Sequence, residues 1–233
     1  MQNDYLQQTI EQIKKLDHQV EIISEIKSGK EAEVYRVFFD GQLAALKIYR
    51  DTNEKNFNKT DQYLAGKNYH RLSQRKAVAK GNSFAKKLKQ DNWLKREFYL
   101  LEKLYQLGAL IPRPILASEQ AIVMELLGDE QQVAPRLCEV KLTAAEADDI
   151  FKQVIETMLI LWQAGLVHAD LSEYNILLWQ QKPYLIDFPQ AVDVRHHPEY
   201  NKLLERDLYN IVKFFRKFIE IDLTQVRNLF KDK

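Results

Sequence analysis

A chain of 233 residues with 45% hydrophobic and 29% charged residues has enough apolar content to bury a core, and it lacks the composition of a disordered segment. Its length suits one large domain or two small lobes, and a formal net charge of +1 gives no overall sign of a nucleic-acid binder. The single cysteine, Cys138, excludes an intrachain disulfide, no Cys/His group has zinc spacing, and no apolar run is long enough to span a bilayer; these point to a cytoplasmic protein without membrane contact.

The polar start, Met1 to Ile10, is not read as a secretory leader. Leu6, Ile10, Ile13 and Leu16 recur at helical spacing and predict an opening amphipathic helix. Strands are expected over 20–26, 34–39 and 43–49. A polar turn with Gly29 separates the first two, and the strong hairpin signal Asp40-Gly41 separates the next two. From Arg50 to Arg96 the chain turns basic: Lys55, Lys59, Lys67, Arg71, Arg75, Lys76, Lys80, Lys86, Lys87, Lys89 and Lys95 stand against Asp51, Glu54, Asp61 and Asp91. This reads as a long, mobile, partly helical insertion over about 50–92.

Trp93, Leu94, Phe98, Leu101, Leu104 and Leu107 then mark a helix stopped by Gly108. Pro112 and Pro114 break the chain, and 121–127 reads as a buried strand ended by Gly128. Thr143-Ala144-Ala145-Glu146 is a capping box, opening a helix that carries Ile150, Val154, Met158, Leu161 and Trp162 to Gly165. Two short strands should flank 180–182, and a last amphipathic helix should run over 198–218 with Leu203, Leu204, Leu208, Ile211, Phe214 and Phe215 inward. Strand dominates the first half and helix the second, an α+β pattern.

The chemistry-bearing residues lie in His168-Ala169-Asp170-Leu171-Ser172-Glu173-Tyr174-Asn175 and in Asp187, which closes the apolar run Tyr184-Leu185-Ile186. An H-x-D-x-x-x-x-N loop followed by an acid at a strand end is a phosphoryl-transfer layout. Asp170 would accept or orient the proton of an attacking hydroxyl. Asn175 and Asp187 would hold Mg²⁺ (with Mn²⁺ as an alternative), because a hard cation takes oxygen ligands. Lys47 would hold the α- and β-phosphates of ATP and pair with Glu97, with Glu102 as the fallback. Ser28, Gly29 and Lys30 would cover phosphates with backbone N–H groups and a hydroxyl. His168 is expected to shape the loop rather than shuttle protons. His196 and His197 read as solvated, Cys138 as inert, and the Phe214/Phe215/Phe218 stripe as core.

These stretches resemble the RIO family of atypical serine protein kinases. The resemblance rests on Ser-Gly-Lys-Glu-Ala-Glu-Val (28–34), Ala-Leu-Lys-Ile-Tyr (45–49), Val-Met-Glu-Leu-Leu-Gly (123–128), Leu-Val-His-Ala-Asp-Leu-Ser-Glu-Tyr-Asn (166–175) and Leu-Ile-Asp-Phe-Pro-Gln-Ala-Val (185–192). It runs from about Ile22 to the C-terminus. The insertion and His196-His197-Pro198 look most like the branch without an N-terminal winged helix, or a bacterial or archaeal minimal form; Asp-Phe-Pro-Gln looks more like the other branch.

The resemblance implies a two-lobed kinase-like fold: an N-terminal helix over 1–19, a β-rich N-lobe over 20–127 and a reduced helical C-lobe over 128–233. The hinge is expected near Glu125 to Gly128, and Met124, Glu125 and Leu126 are assigned to ATP. The resemblance also implies ATP with Mg²⁺, phosphorylation of a protein substrate or of the chain itself, and an aspartyl phosphate on Asp187. By analogy with the family it extends to maturation of the small ribosomal subunit. Few residues follow Asp187, so the peptide-binding subdomain of ordinary protein kinases does not fit. Ala169 stands where those kinases have arginine, so no activation-loop switch is expected. Pro189 argues against a flip of the Asp187 segment.

The alternative is a nucleotide-gated module that docks on RNA or a ribosomal precursor through the basic insertion; a solvated loop explains the same charge run, and both readings stay open. A small-molecule kinase shares the loop motif, but this chain is short for its acceptor pocket.

Overall fold

The computed structural model describes residues 2–29, 32–50 and 83–231, with side chains from Leu6 onward except over 83–93. The expected insertion core over 51–82 and the expected phosphate contact of Lys30 lie outside the described residues. The chain divides into two compact units, one of residues 1–100 with 113–126, the other of 101–112 with 127–233.

In the first unit, helix α1 (Gln2–Lys14) precedes strands β1 (Val20–Ser28), β2 (Ala32–Phe39) and β3 (Gln42–Tyr49). Helix α2 (Ser83–Gln106) follows and enters the second unit at its C-terminal end, and β4 (Pro114–Ala117) and β5 (Ala121–Glu125) complete the first unit. The strands form one antiparallel sheet in the order β1-β2-β3-β5-β4. Asp40 and Gly41 take φ of 50° and 77°, the left-handed pair that a two-residue hairpin needs to match strand twist. Alternation places Tyr35, Val37, Phe39, Ala44, Leu46, Ile48, Ala121 and Val123 in one core cluster, closed by Ile13 of α1. Lys47, between Leu46 and Ile48, therefore points to the other face.

Several details differ from the expected pattern. Leu16 lies beyond the end of α1 and is 49% exposed, while Thr9, at the helical spacing of Ile13, is fully buried. Helix α2 already begins at Ser83, inside the stretch assigned to the insertion. Pro114 opens a strand instead of only breaking the chain. It lies on the sheet's edge, where a missing N–H costs no ladder bond.

The second unit is built on helices α3 (Ala144–Gln163), α4 (Tyr200–Phe215) and α5 (Leu223–Asn228), with a 3₁₀ turn at Leu137–Glu139 and another at Glu173–Asn175. Two small antiparallel pairs accompany them, β6 (Leu166–Val167) with β9 (Val192–Asp193), and β7 (Ile176–Trp179) with β8 (Lys182–Leu185). The capping box opens α3: Glu146 N–H donates to Thr143 Oγ1 at 3.3 Å, and Thr143 N–H donates to Glu146 Oε2 at 2.8 Å. Gly165, at φ 79°, stops the helix in the left-handed conformation that glycine adopts without penalty. Phe215 is fully buried, its ring 5.3 Å from Phe151 and 5.1 Å from Phe214; Phe214 and Phe215 are core, while Phe218, beyond the helix end, is half-buried.

Candidate functional site

The first unit gathers a lysine, a tyrosine and a glutamate. Glu97, on α2 and 6% exposed, sits with Oε1 3.9 Å from Lys47 Nζ. Glu102, on the same helix, is exposed. Tyr49 lies two residues beyond Lys47, so the strand puts both on one face. Its hydroxyl donates to Glu97 Oε1 at 2.8 Å, and its ring centroid lies 4.9 Å from Lys47 Nζ. A buried carboxylate is stable only with donors; Tyr49 supplies one and Lys47 the compensating charge. Sequence reasoning found the ion pair but not Tyr49, although strand alternation was the available signal.

At the β1–β2 turn, Gly29 N–H donates to Ala32 O at 2.9 Å. The Gly29 amide is thus spent within the turn. A Cβ on Gly29 would sit 3.3 Å from that same carbonyl. Met124 pairs with Ala45 on β3. Glu125 is committed to the sheet: its N–H donates to Arg113 O at 2.8 Å and its Oε2 accepts from Arg113 N–H at 3.0 Å. Leu126 is buried.

In the second unit the H-x-D-x-x-x-x-N loop wraps on itself. Asn175 Nδ2 donates to Asp170 O at 2.8 Å and approaches Asp170 Oδ2 at 3.4 Å. Ile186 N–H donates to Asn175 O at 3.0 Å, which brings the Asp187 segment alongside. His168, 2% exposed, closes the link because its Nε2–H donates to Ile186 O at 3.0 Å and its ring lies 4.7 Å from Phe188. Burial pushes the imidazole pKa below its ordinary value, so the neutral Nε2–H form is favoured and the histidine acts as a fixed brace. Asp170, Asn175 and Asp187 thus come to one edge of the unit, and both carboxylates are exposed.

Two loop residues hold left-handed backbone, Ala169 at φ 65° and Asp187 at φ 72°. For alanine that conformation is costly and persists only when its surroundings fix it. Helix α4 does so. Asp207, 1% exposed, accepts from Ala169 N–H at 2.7 Å and from Leu171 N–H at 3.0 Å, on either side of Asp170. Arg206 Nη2 donates to Ala169 O, and Asn210 Nδ2 donates to Leu171 O at 3.1 Å. Burial, opposed by those two amides, pushes the Asp207 carboxyl up to about 7. None of these three α4 residues was found from sequence. The signal was a carboxylate at position 207 on the same helical stripe as Leu204, Leu208 and Ile211.

The other candidates take plainer places. Arg195 holds the Asp193 carboxyl down at about 2, and His196 Nδ1 lies 3.4 Å from the same carboxylate. His197 Nδ1 accepts from Glu199 N–H at 3.3 Å. Burial, then the nearby Glu139, raise the Cys138 thiol, keeping it protonated. Among the described residues no helix is long and apolar enough to cross a membrane.

The family model described as "RIO domain" matches residues 33–229. The chain is 35% identical over 200 residues to the serine/threonine-protein kinase rio1 of Schizosaccharomyces pombe, covering 82% of this chain and 37% of the relative. It is 35% identical over 195 residues to the RIO-type serine/threonine-protein kinase Rio1 of Haloferax volcanii, covering 82% and 62%. It is 34% identical over 208 residues to the human serine/threonine-protein kinase RIO1, covering 88% and 35%. The chain thus spans between about a third and three fifths of the length of these relatives.

Proposed function

The chain belongs to the RIO domain family, and from that premise we propose that it is an ATP-dependent atypical serine/threonine kinase that phosphorylates a protein or itself. The observation that carries the reading is the fastening of Asp170, Asn175 and the Asp187 segment into one unit by the Asn175 side chain and the Ile186 backbone. Phosphoryl transfer asks for positioning and charge stabilisation more than for covalent chemistry by the protein.

The donor set suits a hard cation. Asn175 spends its NH₂ on Asp170, which leaves the amide oxygen as a donor atom, and Asp187 offers a carboxylate. Asn175 and Asp187 are the residues that would hold Mg²⁺. Such an ion, when bound, neutralises charge on the phosphates of ATP. Lys47, steadied by Glu97 and Tyr49, binds the α- and β-phosphates. Asp170 accepts the proton of the acceptor hydroxyl while that oxygen bonds to the γ-phosphorus and the bond to the departing ADP oxygen breaks. Two acceptors suit this exposed edge: a serine hydroxyl, or the Asp187 carboxylate, whose acyl phosphate water would then hydrolyse.

Labelling with γ-³²P ATP tests the reading. Mg²⁺-dependent turnover is expected in the wild type and is lost in Asp170→Ala and Asp187→Ala. An acid-stable label identifies serine; an acid-labile label absent from Asp187→Glu identifies Asp187. No turnover and no label with metal-replete protein refutes the proposal.

The basic run from Lys55 to Arg96 favours a second reading, docking on RNA such as a small-subunit ribosomal precursor under nucleotide control. It predicts salt-dependent RNA binding that is lost when 55–82 is deleted; binding that survives the deletion removes it.

A further inference from the structure

We infer that Arg50 is a positioning residue that turns the Ser28 hydroxyl into the phosphate-facing hydrogen-bond donor of the β1–β2 turn. The inference deepens the ATP reading above and rests on it. Ser28 ends β1 directly opposite Glu33 of β2, and Arg50 follows the last residue of β3. One guanidinium therefore meets the ends of three strands. Arg50 Nη2 donates to Ser28 Oγ at 3.0 Å, and Nε donates to Glu33 Oε1 at 3.1 Å, with a further close contact from Nη2 to the same oxygen.

Glu33 is the anchor. It is 4% exposed, and its other oxygen, Oε2, accepts from the Tyr35 hydroxyl at 2.8 Å. Burial and the neighbouring carboxylate push the Tyr35 phenol up to about 12, so it remains a donor at any physiological pH. The Glu33 carboxylate is buried and held at both oxygens, so it fixes its end of the pair although the Arg50 side chain is 38% exposed.

The consequence for Ser28 follows from its inventory of atoms. A hydroxyl has one proton to give and two lone pairs, and arginine has no acceptor. In the Arg50 contact, Ser28 can only accept. Its proton is left for another acceptor, and accepting from a cation polarises the O–H bond and strengthens it as a donor. The Gly29 amide is already committed to Ala32 O. Among the described residues of this turn the hydroxyl is therefore the group suited to an anionic oxygen, and Arg50 aims it.

Kinetics of Arg50→Met, Ser28→Ala and the double variant test this. Each single change should raise KM for MgATP about tenfold, the worth of one charge-assisted hydrogen bond, with kcat within about threefold. The double variant should be no worse than the worse single one. Arg50→Lys keeps the charge but not the fork, and should fail to rescue. Multiplying effects in the double variant, or full rescue by lysine, would mean that Arg50 acts as a bare charge and would overturn the inference. A second readout needs no nucleotide: in the ligand-free protein Arg50→Met should speed hydrogen exchange of the Gly29 amide about tenfold. Unchanged exchange overturns the positioning role even if ATP binds. Faster exchange in a protein whose wild type binds no ATP instead brings down the function assigned above, and this role with it.

Discussion

Replacing Asp207 by asparagine should stabilise the protein and cripple it. Asp207 is almost fully buried, and its carboxyl is raised from 3.8 to about 7, with burial as the first cause. At roughly 1.4 kcal/mol per pH unit, that displacement makes the protonated form the better folder by about 4 kcal/mol. The folded pKa is the higher one, so this contribution is complete below about pH 4, is lost as pH rises toward 7, and is absent above it. Asparagine resembles the neutral acid and carries no such slope. Urea unfolding should find Asp207→Asn close to wild type at pH 4 and more stable by about 2 to 4 kcal/mol at pH 8.

Activity moves the other way. The ionised carboxylate gives one oxygen to Ala169 N–H and the other to Leu171 N–H, so both amides beside Asp170 are held. An amide has a single acceptor oxygen and turns its NH₂ toward the second N–H, which releases one side of the loop. Misplacement of a catalytic group by about 1 Å costs on the order of a hundredfold in rate, and kcat of Asp207→Asn should fall by about that factor at pH 8. Wild-type kcat should decline as pH drops through about 7, where Asp207 takes up its proton, and the variant should lack that step. An asparagine variant destabilised at pH 8, or stable and fully active there, refutes the reasoning.

Glu97→Gln keeps a partner for the Tyr49 hydroxyl but removes the negative charge 3.9 Å from Lys47; kcat/KM for MgATP should fall about tenfold to a hundredfold, and an unchanged value would detach the pair from nucleotide binding. Gly128→Ala should destabilise by about 2 kcal/mol or more in urea unfolding, because at φ 148° its Cβ would lie 2.5 Å from Gln132 O and 2.8 Å from Val133 Cα, both backbone atoms. Thr143→Ala should cost about 1 kcal/mol of stability and leave turnover intact, since the capping box lies in a loop without site residues. A loss of activity at unchanged stability would contradict that separation.

What could be read from the residues, and what could not, divides by the range of the interaction. The Asp40-Gly41 hairpin, the Thr143 capping box and the glycine stop at 165 are decided within a few residues, and each expectation agrees with the described backbone. Strands β6 and β9, at two residues each, carry no periodicity to detect and are defined by the pairing of Leu166 with Asp193 and of Val167 with Val192. Helix α5 is a single capped turn and a half, marked only by Asp222 accepting from Thr224 N–H at 2.8 Å. The site divides in the same way. Asp170, Asn175 and Asp187, the residues of the proposed site, stand out in the sequence because their spacing is itself the motif. Asp207 acts on residues 36 and 38 positions earlier, and Arg50 on residues 17 and 22 positions earlier, so neither has a local pattern. Each was nevertheless visible as a violation. Asp207 is a carboxylate on an apolar helical stripe, and Glu33, the anchor of Arg50, is an acid that strand alternation sends inward. A buried charge needs a donor, so each of these acids implied a distant partner before the fold could say which one.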